Sequence, residues 1–160
     1  MTEPKADNSK IKYQSGDESR LDDVGELWTR LNQHHMERSP CFKRYYAAMT
    51  FPKRKAMLLA KAARGEMRVE VAVDSETNQR VGYCISSLDQ ERTGEVESIY
   101  ILEKYRNRGI GDALMKSALA WMQQKGAAKK TVIVAAGNEQ AFGFYERYGF
   151  RVRKTMLEQT

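Results

Sequence analysis

The chain has 160 residues, 41% hydrophobic and 30% charged, which is enough for one buried core and excludes a chain disordered throughout. Its formal net charge of +6, from 27 Lys and Arg against 21 Asp and Glu, admits nucleic acid, an anionic surface or a small anionic ligand and does not choose among them. Two cysteines, Cys41 and Cys84, lie far apart without C-x-x-C spacing and with only two histidines for company, so neither a disulfide framework nor a metal site is expected, and a reducing cytoplasm fits.

Residues 1–9 are polar and lack the apolar stretch of a signal peptide, so a flexible tail is expected, followed by a single domain over residues 10–160. No apolar run nears the roughly 18 residues that a membrane span needs. Residues 11–14 fit a short first strand. Ser19 fits an N-cap with Asp22 and Asp23 in the first turn, and Leu21, Val24, Leu27, Trp28, Leu31 and His35 recur at helical spacing up to Pro40. A second helical region, residues 41–64, is expected to break at Pro52 and end at Gly65. Residues 67–73 and 80–88 read as strands around a turn at Thr77 and Asn78.

Residues 95–102, EVESIYIL, are β-branched and aromatic and read as a strand. Ile110, Ala113, Leu114, Ser117, Ala118, Trp121 and Met122 then form one helical stripe. Residues 129–135 suggest another strand, and residues 138–150, NEQAFGFYERYGF, a capped helix with Ala141, Phe144, Tyr145 and Tyr148 on one face and Gly149 at its end. No repeat or low-complexity tract interrupts this order.

The turn between strand and helix, Arg106-Asn107-Arg108-Gly109-Ile110-Gly111, places bare backbone and cations where the first amides of a helix have no internal partner. That arrangement suits a phosphate, although Arg108 reads equally as a solvated loop cation. A Walker loop is excluded by the lack of Gly-Lys-Ser/Thr, and a dinucleotide-binding turn by the lack of a third glycine and a later acidic residue.

The pattern Arg/Gln-x-x-Gly-x-Gly/Ala between strand and helix resembles the acetyl-CoA loop of the GNAT superfamily of N-acetyltransferases. Asn138, Ala141, the Phe144-Tyr145 pair and Gly149-Phe150 resemble the second signature of that family. The resemblance implies an α/β, mixed-sheet GNAT-like acyl-CoA-binding fold, with helices flanking a central sheet that splays open between the strand of Glu97 and the strand beginning near Lys130. It also implies acetyl-CoA as cosubstrate, with backbone of Ile99 and Ile101 along the pantetheine arm, amides from Arg106, Asn107, Arg108, Gly109, Ile110 and Gly111 on the pyrophosphate, and Asn138 on the pantetheine. Tyr145 would stand near the CoA sulfur as the acid, and the Ile101 amide would meet the oxyanion.

An amine acceptor must lose a proton before it attacks a thioester. Glu97 is the candidate base, set by simple strand alternation on the face opposite Val96 and Ser98; a surface carboxylate reads equally well. Asn138 also fits an ordinary N-cap, and Tyr145 a core aromatic. His34 and His35 border the acceptor side under the resemblance, but a helix C-terminal cation and a partly buried ring are the stronger readings. The interleaved cations and aromatics of residues 42–65 read as a solvated face, which makes nucleic acid an unlikely partner.

The leading expectation is direct transfer of an acetyl group to a primary amine of a small molecule or a peptide or protein, in a ternary complex. The alternative is a non-catalytic CoA-binding or nucleic-acid-binding regulatory module of the same fold. The short stretch after Gly149 leaves a sheet edge that a homodimer could cover.

Overall fold

The structure, a computed structural model, describes residues 9–160; of the expected N-terminal tail only Ser9 lies within them. Five strands form one mixed sheet in the order β1 (Ile11–Gly16), β2 (Glu66–Asp74), β3 (Gln79–Leu88), β4 (Thr93–Ile101) and β5 (Lys129–Val132). The first four pair antiparallel and β5 runs parallel to β4. The fold is the expected α/β mixed sheet flanked by helices.

The central strands β2 and β3 are buried along most of their length because both of their faces are covered, although β2 carries Arg68 and Glu70 within it. A 3-10 turn (Glu18–Val24) leads into α1 (Gly25–Arg38), and α2 (Lys43–Ala48) and α3 (Phe51–Ala62) follow. A parallel pair cannot be closed by a tight turn, and α4 (Ile110–Gln124) supplies the crossover from β4 to β5. Successive side chains of a strand face opposite ways. Arg68 of β2, level with Ser86, donates to Ser117 of α4 at 3.1 Å, whereas Lys61 of α3 pairs with Glu95, level with Ser87. Thus α4 and α3 cover opposite faces. Leu21, Val24, Leu27, Trp28 and Leu58 are buried among the first group of helices, and Ile110, Leu114, Met115, Ala118 and Met122 on α4.

Four local expectations change. Asp17, not Ser19, caps the first turn, accepting from the Ser19 amide at 3.0 Å. The second helical region breaks before Pro52: Thr50 caps α3 and Pro52 sits in its first turn, where a missing N–H costs nothing. The strand expected over residues 129–135 ends at Val132, and Ile133 is 82% exposed as the chain leaves the sheet. The last helix is a 3-10 turn (Glu139–Ala141) followed by α5 (Phe142–Glu146); Gly149 ends it at φ +87°.

Two irregularities shape the centre of the sheet. Pairing of β4 with β5 covers only Thr93 to Val96 against Lys129 to Val132, and beyond it the strands part. Between β3 and β4, Ile85 lies opposite Ser98 but Ser86 lies opposite Val96, so Glu97 is the extra residue of a bulge.

Candidate functional site

After β4 a 3-10 turn (Glu103–Tyr105) leads into the loop that opens α4. Asn107 has φ +60° and Gly109 φ +81°, so left-handed backbone flanks Arg108 and α4 starts from Gly109 with no side-chain cap. Alternation of backbone hand turns successive N–H groups into one concavity, and the 15-residue helix adds its unpaired first amides. Arg106 Nε donates to the Ile101 carbonyl at 3.0 Å, and Arg108 stands over the Tyr105 ring at 5.1 Å. Gly111 serves packing: a Cβ there would lie 3.4 Å from both Ile101 Cδ1 and the Phe144 ring. Tyr148 ties α5 to the same turn by donating to Asp112 at 2.6 Å, and burial together with that carboxylate pushes its hydroxyl up to about 12.

The backbone beside this turn is available. Leu102 donates its amide to Val81, and in an antiparallel ladder the residues facing the partner strand alternate. Ile99 and Ile101 therefore point their N–H and C=O away from β3, toward the gap that β5 has left. The Arg106 bond to the Ile101 carbonyl agrees with that direction.

Glu97 does not lie opposite Ser98 as alternation alone predicts. The bulge brings both to the α3 face, where Ser98 meets the Tyr83 hydroxyl at 2.6 Å and Glu97 accepts from the Ser87 hydroxyl at 2.6 Å. Its side chain is 4% exposed. Arg54 Nη2 bonds Oε2 at 3.1 Å and also the Glu97 carbonyl at 3.3 Å. Lys61 pairs with Oε1 and, at 2.5 Å, with Glu95. Glu97 is thus a buried carboxylate with every oxygen engaged, held by two cations from α3. Sequence reading missed Arg54, Lys61 and Ser87, although Arg54, Leu58 and Lys61 recur at the spacing of one helical face.

Tyr145 packs between Phe144 at 5.2 Å and Phe150 at 6.0 Å. Among the described residues its hydroxyl has no hydrogen-bond partner, and burial raises its pKa above the usual tyrosine value, with the nearby Cys84 thiol adding to the effect. Cys84 lies level with Ile99 in the β3–β4 register, which brings the hydroxyl close to the open stretch of β4. The Cys84 thiol is itself buried and pushed up to about 12.

Asn138 makes no capping bond. Its Oδ1 is instead 3.4 Å from His34 Nε2 of α1, and Arg38 donates to Gln140 at 3.0 Å, so the end of α1 is fastened to the loop after β5. His35 faces Tyr46 at 5.6 Å with its Nδ1 buried and unpartnered, and burial, then His34, holds its pKa down to about 4. It is the partly buried neutral ring of the stronger expectation.

A sequence model described as the Acetyltransferase (GNAT) family matches residues 28–150. The chain belongs to that family. GNAT relatives found by sequence match shorter stretches. A mycothiol acetyltransferase of Corynebacterium aurimucosum is 41% identical over 64 residues, 40% of this chain and 21% of that protein. An N-alpha-acetyltransferase of Sulfurisphaera tokodaii is 33% identical over 82 residues, 48% of this chain and 49% of that protein. The chain thus spans less than half the length of each. The GNAT fold is seen in the PaiA N-acetyltransferase of Thermoplasma acidophilum, solved with coenzyme A, which superposes with a TM-score of 0.69 at 19% identity over 91% of this chain and 92% of that one. Among the described residues no helix is long and apolar enough to cross a membrane, and no three His, Cys, Asp or Glu are grouped to hold a metal ion.

Proposed function

We propose that this chain is an acetyl-CoA-dependent N-acetyltransferase that acetylates a primary amine of a small molecule or a peptide by direct transfer, with residues 10–160 working as one cytoplasmic domain. The observation that carries the reading is the coincidence of three features: the gap beyond Val96 and Val132, the outward backbone of Ile99 and Ile101 along it, and the left-handed turn at its end. An extended amide-bearing arm with a diphosphate at one end is complementary to that arrangement. The similar mycothiol acetyltransferase and N-alpha-acetyltransferase, and the PaiA N-acetyltransferase solved with coenzyme A, support the same class of reaction and cosubstrate.

Acetyl-CoA supplies the activated acetyl group when bound. Amides from residues 106–111 hold its phosphates, and Ile99 and Ile101 pair with its arm. The Ile101 amide, already directed into the gap, steadies the negative oxygen that develops at the carbonyl. Asn138, oriented by His34, faces the arm from the β5 side. Glu97 draws the proton from the acceptor amine through water, because the Ser87 hydroxyl and the α3 cations occupy its own oxygens. Tyr145, kept protonated by burial, returns a proton to the departing thiolate. No covalent intermediate is invoked: the Cys84 thiol is buried and protonated at neutral pH.

An acceptor panel with acetyl-CoA, read by mass gain of one acetyl group and by thiol release, tests the proposal. Transfer to at least one amine is expected. Tight acetyl-CoA binding without transfer across the panel would replace the enzyme by a CoA-binding regulatory module.

A further inference from the structure

With Glu97 as the base proposed above, the acceptor approaches from the face that α1, α2 and α3 cover. Asn32 donates to the Tyr46 and Met49 carbonyls at 2.8 and 3.2 Å, and His35 faces Tyr46, so α2 is fastened beside the end of α1 that touches Asn138. From α3, Arg54 and Lys61 reach Glu97. The chain from Ser39 to Gly65, which covers this side, carries Lys43, Arg44, Lys53, Arg54, Lys55, Lys61 and Arg64 and not one Asp or Glu.

Three of those seven cations are neutralised: Arg54 and Lys61 by Glu97 and Glu95, and Lys55 by Asp22 at 2.6 Å. Lys43, Arg44, Lys53 and Arg64 have no carboxylate partner among the described residues. The same segment exposes Tyr45 and Met57, 55% and 50%, which offers a binding chain apolar contact beside the charges.

A cationic acceptor would be held by carboxylates that no cation has already taken. Glu95 and Glu97 are both taken by α3. Of the acids near the loop and the end of α1, Glu139 accepts from the Gly137 amide at 2.9 Å and Glu37 from Gln33 at 2.7 Å. Neither bond cancels a charge, but a polyamine or aminosugar with several ammonium groups would meet four unneutralised cations against these two exposed carboxylates.

We infer that the acceptor is an amine flanked by carboxylates, an acidic peptide or a small amino acid with an acidic side chain, which α2 and α3 receive through Lys43, Arg44 and Lys53. This rests on the acetyltransferase reading above. Exposed charges at this range act mainly on encounter and KM, and their effect fades as salt shortens the screening length to below about 8 Å.

The test uses peptides of one length with a central lysine flanked by Glu, Gln or Arg, together with free glutamate and glutamate diamide. Rates are taken from mass gain, and affinities from fluorescence anisotropy with acetyl-CoA present. The Glu-flanked peptide or free glutamate should exceed its neutral counterpart by about tenfold in kcat/KM, mostly through KM, with the advantage shrinking at high salt. The arm that shows it tells the peptide from the small acid. Combined Lys43→Glu and Arg44→Glu substitution should abolish the preference, while Lys12→Glu on exposed β1 leaves it in place. Equal or Arg-favouring rates and affinities would overturn the inference while leaving the transferase intact. Preferential binding of the acidic acceptor with no acetylation of any arm would overturn the transferase reading and uphold the anion-selective surface.

Discussion

Replacing Glu97 by Gln preserves the shape of the bulge and the acceptor for Ser87 while removing the charge that Arg54 and Lys61 share. Stripping a partner from a buried ion pair typically destabilises by about 3–5 kcal/mol. Here Lys61 keeps Glu95, Arg54 keeps the Glu97 carbonyl, and both cations reach solvent, so about 1–2 kcal/mol is expected. For a chain of this size that lowers Tm by about 3–6 °C, leaving the variant folded for kinetics. Acetyl-CoA affinity should stay near wild type because the cradle at residues 106–111 is untouched. Loss of the base should lower kcat about 100-fold near neutral pH. The deficit should narrow as pH rises toward the acceptor's own range, about 10.4 for a lysine, because the solvent then supplies neutral amine. A folded variant within about twofold of wild-type kcat and with an unchanged pH profile would refute the base assignment and leave Glu97 as a clamp for α3.

Gly109→Ala should destabilise by about 1–2 kcal/mol from its left-handed backbone and weaken acetyl-CoA binding, read by titration calorimetry. Gly111→Ala should be tolerated, but Gly111→Val should overpack Phe144 and Ile101 at a cost of about 1–3 kcal/mol in denaturant unfolding. Tyr145→Phe should leave Tm unchanged, since the hydroxyl has no partner among the described residues, yet lower kcat; faster thiol leaving groups should restore it. His35 is neutral in the fold down to about pH 4, whereas the unfolded ring binds a proton below about 6.5. Stability from this ring is therefore complete above pH 6.5 and lost as pH falls toward 4, on the order of 1–2 kcal/mol after allowing for its partial exposure. His35→Phe should flatten that part of the pH–stability curve.

The loop at residues 106–111 was legible because its demand is local: a left-handed residue opening a helix selects glycine, and the β-branched run before it selects a strand. The orientation of Glu97 was not. A bulge is a property of two strands, and nothing in EVESIYIL marks which residue the partner β3 leaves unpaired. The last helix was overextended for a similar reason. Asn138 has the chemistry of a cap, but its side chain is drawn to His34, 104 positions earlier in the chain. The break between α2 and α3, in contrast, was readable: Thr50 followed by a proline two residues on is a helix start, and treating Pro52 only as a breaker missed it.

The unequal placement of the two cysteines bears on any measurement of released coenzyme thiol. Cys41 is exposed in the turn between α1 and α2, whereas Cys84 is sealed in β3. A disulfide reagent added to the native protein should register one protein equivalent at once and the second only on unfolding. The first sets a fixed background for turnover, and the appearance of the second, during an otherwise ordinary assay, is a built-in alarm that the sheet has come apart.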